Sequence, residues 1–299
     1  MSWKHYRLVF RLKSPLHIGY RKIGNLMQTR RYVPGKVLWG ALTARLTRMS
    51  GQGSDAEAYK EVGESLIQHF RFGYLWPAYE EKEGEIPIKP VYPWDLNKLE
   101  GENYFDYLFL NGYAGTALDP AGAGAEEGTL HHTEFIAPVA RNGRLVYLIG
   151  DLWVREPISD GRIEGWRDAL NRLQLGGERS YGWGRVDCAK LEETPDGALS
   201  GAKVELTEGD VILKLEKGAF LTAHALAADW QFENGNNGKR LSKAISNGEV
   251  SGTIEPLTGY EFRGEWRLSH PPICYAPGCK VGDGVRVKIG IYGILVSVE

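Results

Sequence analysis

Residues 175–185 read Leu175-Gly176-Gly177-Glu178-Arg179-Ser180-Tyr181-Gly182-Trp183-Gly184-Arg185, with four glycines inside nine positions. Glycine has no Cβ, so such a run lets backbone amides face outward and gather into an anion-binding concavity. Arg179 and Arg185 add charge, Ser180 adds a hydroxyl, and Tyr181 and Trp183 add stacking faces. Amides, cations and aromatic rings together are what single-stranded RNA requires of a protein. The loop lacks the GK[ST] ending of a P-loop. A tight helix-to-strand turn accounts for the same residues without a ligand.

The flanks decide which fold this loop belongs to. Before it, Asp160 to Leu173 carries Ile163, Trp166, Leu170 and Leu173 on one helical face; after it, Val186 to Leu191 reads as a strand. Earlier, Lys4 to Leu12 alternates Tyr6, Leu8, Phe10 and Leu12 with Arg7, Val9 and Arg11, and Ser14-Pro15 stops it. Residues 17–34 form a polar connection. Helices follow over about 35–49 and 56–70, the second capped by Asp55. Thr133 to Ala140 and Arg144 to Arg155 read as strands joined by Asn142-Gly143, a strong hairpin signal. The order strand, helix, long irregular insertion (about 76–128), two strands, helix, strand is the β-α-β-β-α-β pattern of a ferredoxin-like domain.

Residues 192–202 (EETPDGALSGA) form a polar linker, and the chain beyond it is strand-rich. Tyr32-Val33-Pro34-Gly35-Lys36-Val37 recurs loosely as Tyr275-Ala276-Pro277-Gly278-Cys279-Lys280-Val281, which marks either equivalent turns in two related domains or a chance recurrence.

Of the 299 residues 42% are apolar and 25% charged, and the 33 aromatics exclude a wholly disordered chain. No stretch approaches the roughly 20 apolar residues that span a bilayer, and MSWKHYRLVF lacks the apolar core of a signal peptide. Cys188, Cys274 and Cys279 are too few for a disulfide framework, so a reducing cytoplasm is expected. The net charge of −2 hides an asymmetry: residues 1–48 hold eleven Lys and Arg and no acid, while the rest carries a net −13. A basic segment on an acidic body suggests a polyanion site, or simply a basic strand and helix paired with acidic neighbours.

A second segment adds to the loop. Pro15-Leu16-His17-Ile18-Gly19-Tyr20-Arg21-Lys22 is a small-residue turn and basic arm, and Arg30-Arg31-Tyr32-Val33-Pro34-Gly35-Lys36 opens a helix whose first amides are unpaired. "PLHIG" after a strand, "YVPGKVLWGAL" opening a helix and the late "GGERSYGWGRV" loop together resemble the RAMP superfamily of CRISPR-associated proteins, over residues 1–192 with a long insertion. RAMP proteins are RRM-like RNA binders that build crRNA-guided effector complexes. The continuation through Pro271 to Val281 resembles the two-domain subunit that caps type III complexes, type III-D-like, with Cys279 in place of the usual serine.

The resemblance implies an α+β chain of two ferredoxin-like (RRM-like) domains, 1–195 and 196–299. It implies crRNA, held by its 5′ handle, as ligand, and the large polymerase-like subunit and RAMP backbone subunits as protein partners. It also implies RNA contacts from His17, Gly19, Arg21, Lys22, Arg30, Arg31, Gly35 and Lys36. Gly176, Gly177, Arg179, Ser180, Tyr181 and Gly182 of the loop, and Tyr275 and Gly278 of the second domain, complete the set. No cofactor, metal or catalytic residue is expected.

Two other readings stay open. Some RAMP proteins are endoribonucleases, for which His5, His17, His131 and His132, or a metal with Asp95, Asp106 or Asp119, are the candidates. The aromatics of the insertion, Trp76 to Tyr113, are either a private core or an interface, and a protein scaffold without RNA contact would use them as the latter.

Overall fold

The computed structural model describes residues 1–51, 55–101, 103–118, 122, 124–194, 197–234, 238–246, 248–258, 260–262, 266–268 and 271–298. The first part of the chain contains, in order, β1 (Ser2–Leu12), β2 (Gly19–Ile23), β3 (Leu26–Thr29), α1 (Gly35–Met49), α2 (Ala56–His69), β4 (Phe70–Phe72) and β5 (Trp76–Tyr79). It continues with α3 (Pro93–Glu100), α4 (Tyr104–Phe109), β6 (Leu110–Gly115), β7 (His131–Ile136), β8 (Val146–Glu156), α5 (Trp166–Ala169), β9 (Leu173–Gln174) and β10 (Arg185–Glu193).

The main sheet runs β4-β8-β1-β10-β9, with β5 also on β8, and every pair is antiparallel. Strand β1 is central because both of its faces are apolar enough to be covered. Tyr6, Leu8, Phe10 and Leu12 join one core with Leu38, Leu42, Leu46, Val62 and Leu66 of α1 and α2. On the other face, Trp3 joins a second core built mainly from residues beyond 197. Leu8, Phe10, Leu38, Leu42 and Leu66 are fully buried, each stabilising the fold by roughly 1.5–3 kcal/mol. Asp55 caps α2 as its position suggested, accepting the Ala58 amide at 2.9 Å.

Several sequence expectations need correction. The place beside β8 belongs to β4 and β5, at 70–79, and not to the strand read at 133–140. That segment ends at Ile136, before Pro138, which has no amide to donate to a ladder. It pairs instead in a second sheet, β2-β3-β7-β6, and only the Val139–Leu145 bridge remains of the hairpin expected at Asn142-Gly143. The connection read at 17–34 thus contains the β2–β3 hairpin of that sheet. The helix expected over 160–173 shrinks to α5 and a 3-10 turn, since Gly161 and Gly165 interrupt it; Ile163 and Trp166 still fill the core. The insertion is ordered where described, and Phe105 and Phe109 are completely buried, so much of its aromatic content is private core.

The second part is a sheet in the order Lys203–Leu206, Val211–Leu215, Val285–Ile289, Leu295–Ser297, Ala225–Leu226, Ile273–Tyr275, Ile254–Pro256. Among the described residues beyond 197 there is no α-helix, so a second ferredoxin-like unit would lack its helices there. The loose repeat does not mark equivalent turns. Pro34-Gly35 opens a helix, whereas Gly278 (φ +94°) turns between two strands. Asp151 on β8 ties the two parts together, accepting from His5 (2.9 Å), Arg7 (3.2 Å) and the Leu199 amide (2.8 Å). None of the described helices is long and apolar enough to cross a membrane.

Candidate nucleic-acid interface

The glycine loop is anchored by its own amides. Gly177 donates to the His17 carbonyl at 2.9 Å and Gly184 to the Pro15 carbonyl at 2.7 Å. Tyr181 and Trp183 donate to Glu178, and Gly182 to Arg179. These amides hold the loop's shape rather than facing outward as the glycine content suggested. The Gln174 side chain adds bonds to the Arg179 and Trp183 carbonyls at 2.8 and 2.9 Å. Glycine is required at 176 for two reasons: its φ is +73°, and a Cβ would stand 2.3 Å from the His17 carbonyl oxygen. What the loop presents to solvent is side chain: Arg179, Ser180 and Tyr181 are exposed, Tyr181 by 79%.

Docking the loop on residues 15–17 creates a cleft of about 640 Å³. Its walls bring together Gly19 from the arm, Arg30, Lys36 at the start of α1, and Gly176, Gly177 and Arg179 from the loop. Six of the residues singled out in the sequence, from two remote parts of the chain (19–36 and 176–179), therefore share one surface. Trp39 and Tyr59 line it too. Burial pushes the Tyr59 hydroxyl upward in pKa, while the Arg179 charge acts on it in the opposite sense. His17 lies just behind the wall, with its Nδ1–H donating to the Glu134 carbonyl at 2.7 Å.

Other candidate residues have different surroundings. Arg30 lines the cleft but is 7% exposed, and its Nη1 donates to Glu255 at 2.6 Å and to the Tyr32 hydroxyl at 2.9 Å. Burial works against its charge, and Tyr32 and Glu255 outweigh that. Arg31 is ion-paired with Asp106. Gly35 is buried beneath Tyr292, whose carbonyl would lie 2.4 Å from an added Cβ, so its smallness serves helix packing. Arg21 and Lys22 are exposed on β2, with Arg21 4.6 Å above the Tyr20 ring. Tyr275 is buried in the second core and Gly278 rests on the Trp94 ring, so this pair does not join the cleft. The N-terminal basic excess divides accordingly: Lys4, Arg7, Lys13, Arg30 and Arg31 pair with acids, while Arg21 and Lys22 stand in solvent.

The far side of the loop forms an aromatic cluster in which Phe135 is the residue that the sequence reading did not single out. Trp183 packs edge-on against Phe135 of β7 (5.1 Å) and Tyr113 of β6 (6.0 Å), and Tyr113 is 58% exposed. Period-two alternation in β6 and β7 is the signal that could have placed both rings on one face. Among the described residues no group of His, Cys, Asp and Glu is arranged to hold a metal ion.

A sheet-dominated α+β fold whose late glycine loop closes a cation-bearing cleft defines the class. The chain belongs to the RAMP superfamily, whose family model matches residues 9–187. Among solved structures it resembles a chain of the type III-B Cmr-beta complex bound to cognate target RNA and AMPPnP, at 13% identity over 92% of this chain and 85% of that one, TM-score 0.47. A chain of the same complex bound to cognate target RNA gives 14%, 92%, 86% and 0.44. No curated protein matches.

Proposed function

We propose that this chain is a non-catalytic RNA-binding subunit of a type III CRISPR effector ribonucleoprotein. In this reading it grips the 5′ repeat-derived handle of crRNA and caps the backbone of RAMP subunits beside the large polymerase-like subunit. Residues 1–195 form the RRM-like unit that carries the grip, and 196–299 the strand-rich unit that buttresses it. The observation that carries the reading is the cleft, which unites Gly19, Lys36 and the loop residues Gly176, Gly177 and Arg179. An exposed arginine and a half-buried lysine beside aromatic faces suit a single strand, with phosphates supplying affinity and bases stacking.

Endoribonuclease chemistry is the second reading, and His17 favours it. With Nδ1–H committed to Glu134, its Nε2 is the basic nitrogen, on the side of Gly19 and Gly177.

The test is binding and integrity of a labelled repeat-derived RNA, against a scrambled strand, across a salt series with and without Mg²⁺. Handle-selective binding that weakens with salt and leaves the RNA intact is expected, with Arg179→Ala reducing the salt slope by about one. Metal-free cleavage at a single site would replace this reading with the nuclease one. Failure to bind either strand, together with failure to co-purify with RNA or with the large subunit, would overturn both.

A further inference from the structure

The cleft is much larger than a phosphate needs, and most of its surface is not charged. Its volume of about 640 Å³ falls in the range that encloses a small organic molecule. One wall is the face of α1 formed by Val37, Gly40, Ala41 and Ala44, whose short side chains leave a flat apolar floor. Two half-buried rings, Trp39 and Tyr59, stand at its edge with centroids 6.3 Å apart and planes at 77°. Their polar atoms are already used: the indole N–H donates to the Gly63 carbonyl at 3.0 Å and the phenol to the Gly40 carbonyl at 3.3 Å. Carbon and π surface is what they offer an occupant. Lys36 and Arg179 supply positive charge to the lining, and Asp55 is the one acid among its described residues.

We infer that the cleft takes one unstacked nucleotide of a bound strand, its base against the α1 floor beside Trp39 and Tyr59 and its phosphate at Lys36 and Arg179. The inference rests on the RNA-binding reading above and adds that a base, and not only the backbone, is enclosed.

The experiment is an abasic scan. A short single-stranded handle RNA is titrated with the full chain, one base being removed at a time. One position should lose about tenfold in affinity, the worth of a single base–aromatic stack, while its neighbours change little. Ala44→Phe, which fills the floor without touching either cation, should lower the intact strand's affinity by the same factor and abolish the position dependence. The scan on the unaltered protein keeps the inference testable should that variant fold poorly. A flat scan alongside intact, salt-dependent binding would overturn the base pocket and leave the RNA-binding reading standing. Absence of binding to every strand would overturn the RNA-binding reading itself. AMP and UMP alone should bind at least a hundredfold more weakly than the strand; equal affinity would mean that the cleft is a free-nucleotide site and overturn the strand-held assignment.

Discussion

The main-chain carbonyl of His17 accepts the Gly177 amide at 2.9 Å, and the same oxygen lies 2.3 Å from where a Cβ on Gly176 would stand. The arm and the glycine loop thus meet backbone to backbone, with no room for a side chain. Gly176→Ala combines a left-handed φ with that clash and should cost at least about 2 kcal/mol, as well as displacing the loop from the cleft. Gly24→Ala is the control, because Gly24 also has positive φ (+56°) but nothing within 4 Å of the added methyl. It should cost about 1 kcal/mol and leave RNA binding unchanged. Urea melts of the two variants make the comparison; equal losses would mean that the close approach is not real.

Arg30 and the pair Arg21 and Lys22 should separate stability from binding. Arg30→Ala strips a buried partner from Glu255 and should destabilise the protein by about 3–5 kcal/mol. Arg21→Ala with Lys22→Ala removes exposed charge, should leave the melting temperature within a degree or two, and should weaken RNA binding with a smaller salt slope. A binding loss without destabilisation in Arg30→Ala would make that arginine a direct RNA contact.

The Arg30–Glu255–His224–Tyr74 chain makes stability depend on acid. Burial disfavours the Glu255 charge, but the His224 hydrogen bond and the Arg30 charge outweigh it and bring the group to about 2. Its contribution is therefore complete above its unfolded value near 4.5 and disappears as pH falls towards 2. Burial lowers His224, which stays neutral and accepts the Tyr74 hydroxyl at 2.8 Å. An unfolded chain takes up that proton below about 6.5 while the folded one resists, so this group also withdraws stability on acidification. Denaturant midpoints should decline from pH 7 to pH 3, and Glu255→Gln should be less stable at neutral pH with a flatter profile below pH 4.5. A wild-type profile that is level over this range would contradict the network.

Thiol reactivity offers a check on the second core. Burial pushes Cys274 up to about 12 and raises Cys279 and Cys188 as well, but only Cys188 is partly exposed. In the native protein at pH 8, Ellman's reagent should modify Cys188 slowly and the other two only after unfolding. Rapid labelling of all three would place the sheet around Cys274 and Cys279 in error.

Local pattern carried β1, α1, α2 and β8 into view, because each has an apolar period that matches its neighbours. It also singled out the loop and the helix start that meet in the cleft. The arm sheet stayed hidden because β2 and β3 are short and lack a clear apolar period, and β3 finds its second partner in the remote β7, a pairing that leaves no local trace. For the same reason β7 was assigned to the wrong sheet: alternation shows that a segment is a strand, not which edge receives it. The fates of Arg30 and Gly35 were likewise invisible, since Glu255 and Tyr292, which decide them, lie in the other half of the chain.

The parallel pairing of β3 with β7, Leu26 opposite His132 and Met27 opposite Thr133, bears on how the protein is made. During synthesis the basic arm leaves the ribosome well before its sheet partners, and the loop that closes the cleft emerges later still. Helices α1 and α2 form from near neighbours, whereas the arm must wait for the costly closure of a long intervening segment. On the reading proposed above, the cleft is therefore finished late: its glycine loop arrives with Gly184, and Glu255, which holds Arg30, and Leu257 and Thr258, which complete the lining, arrive only near the end of the chain.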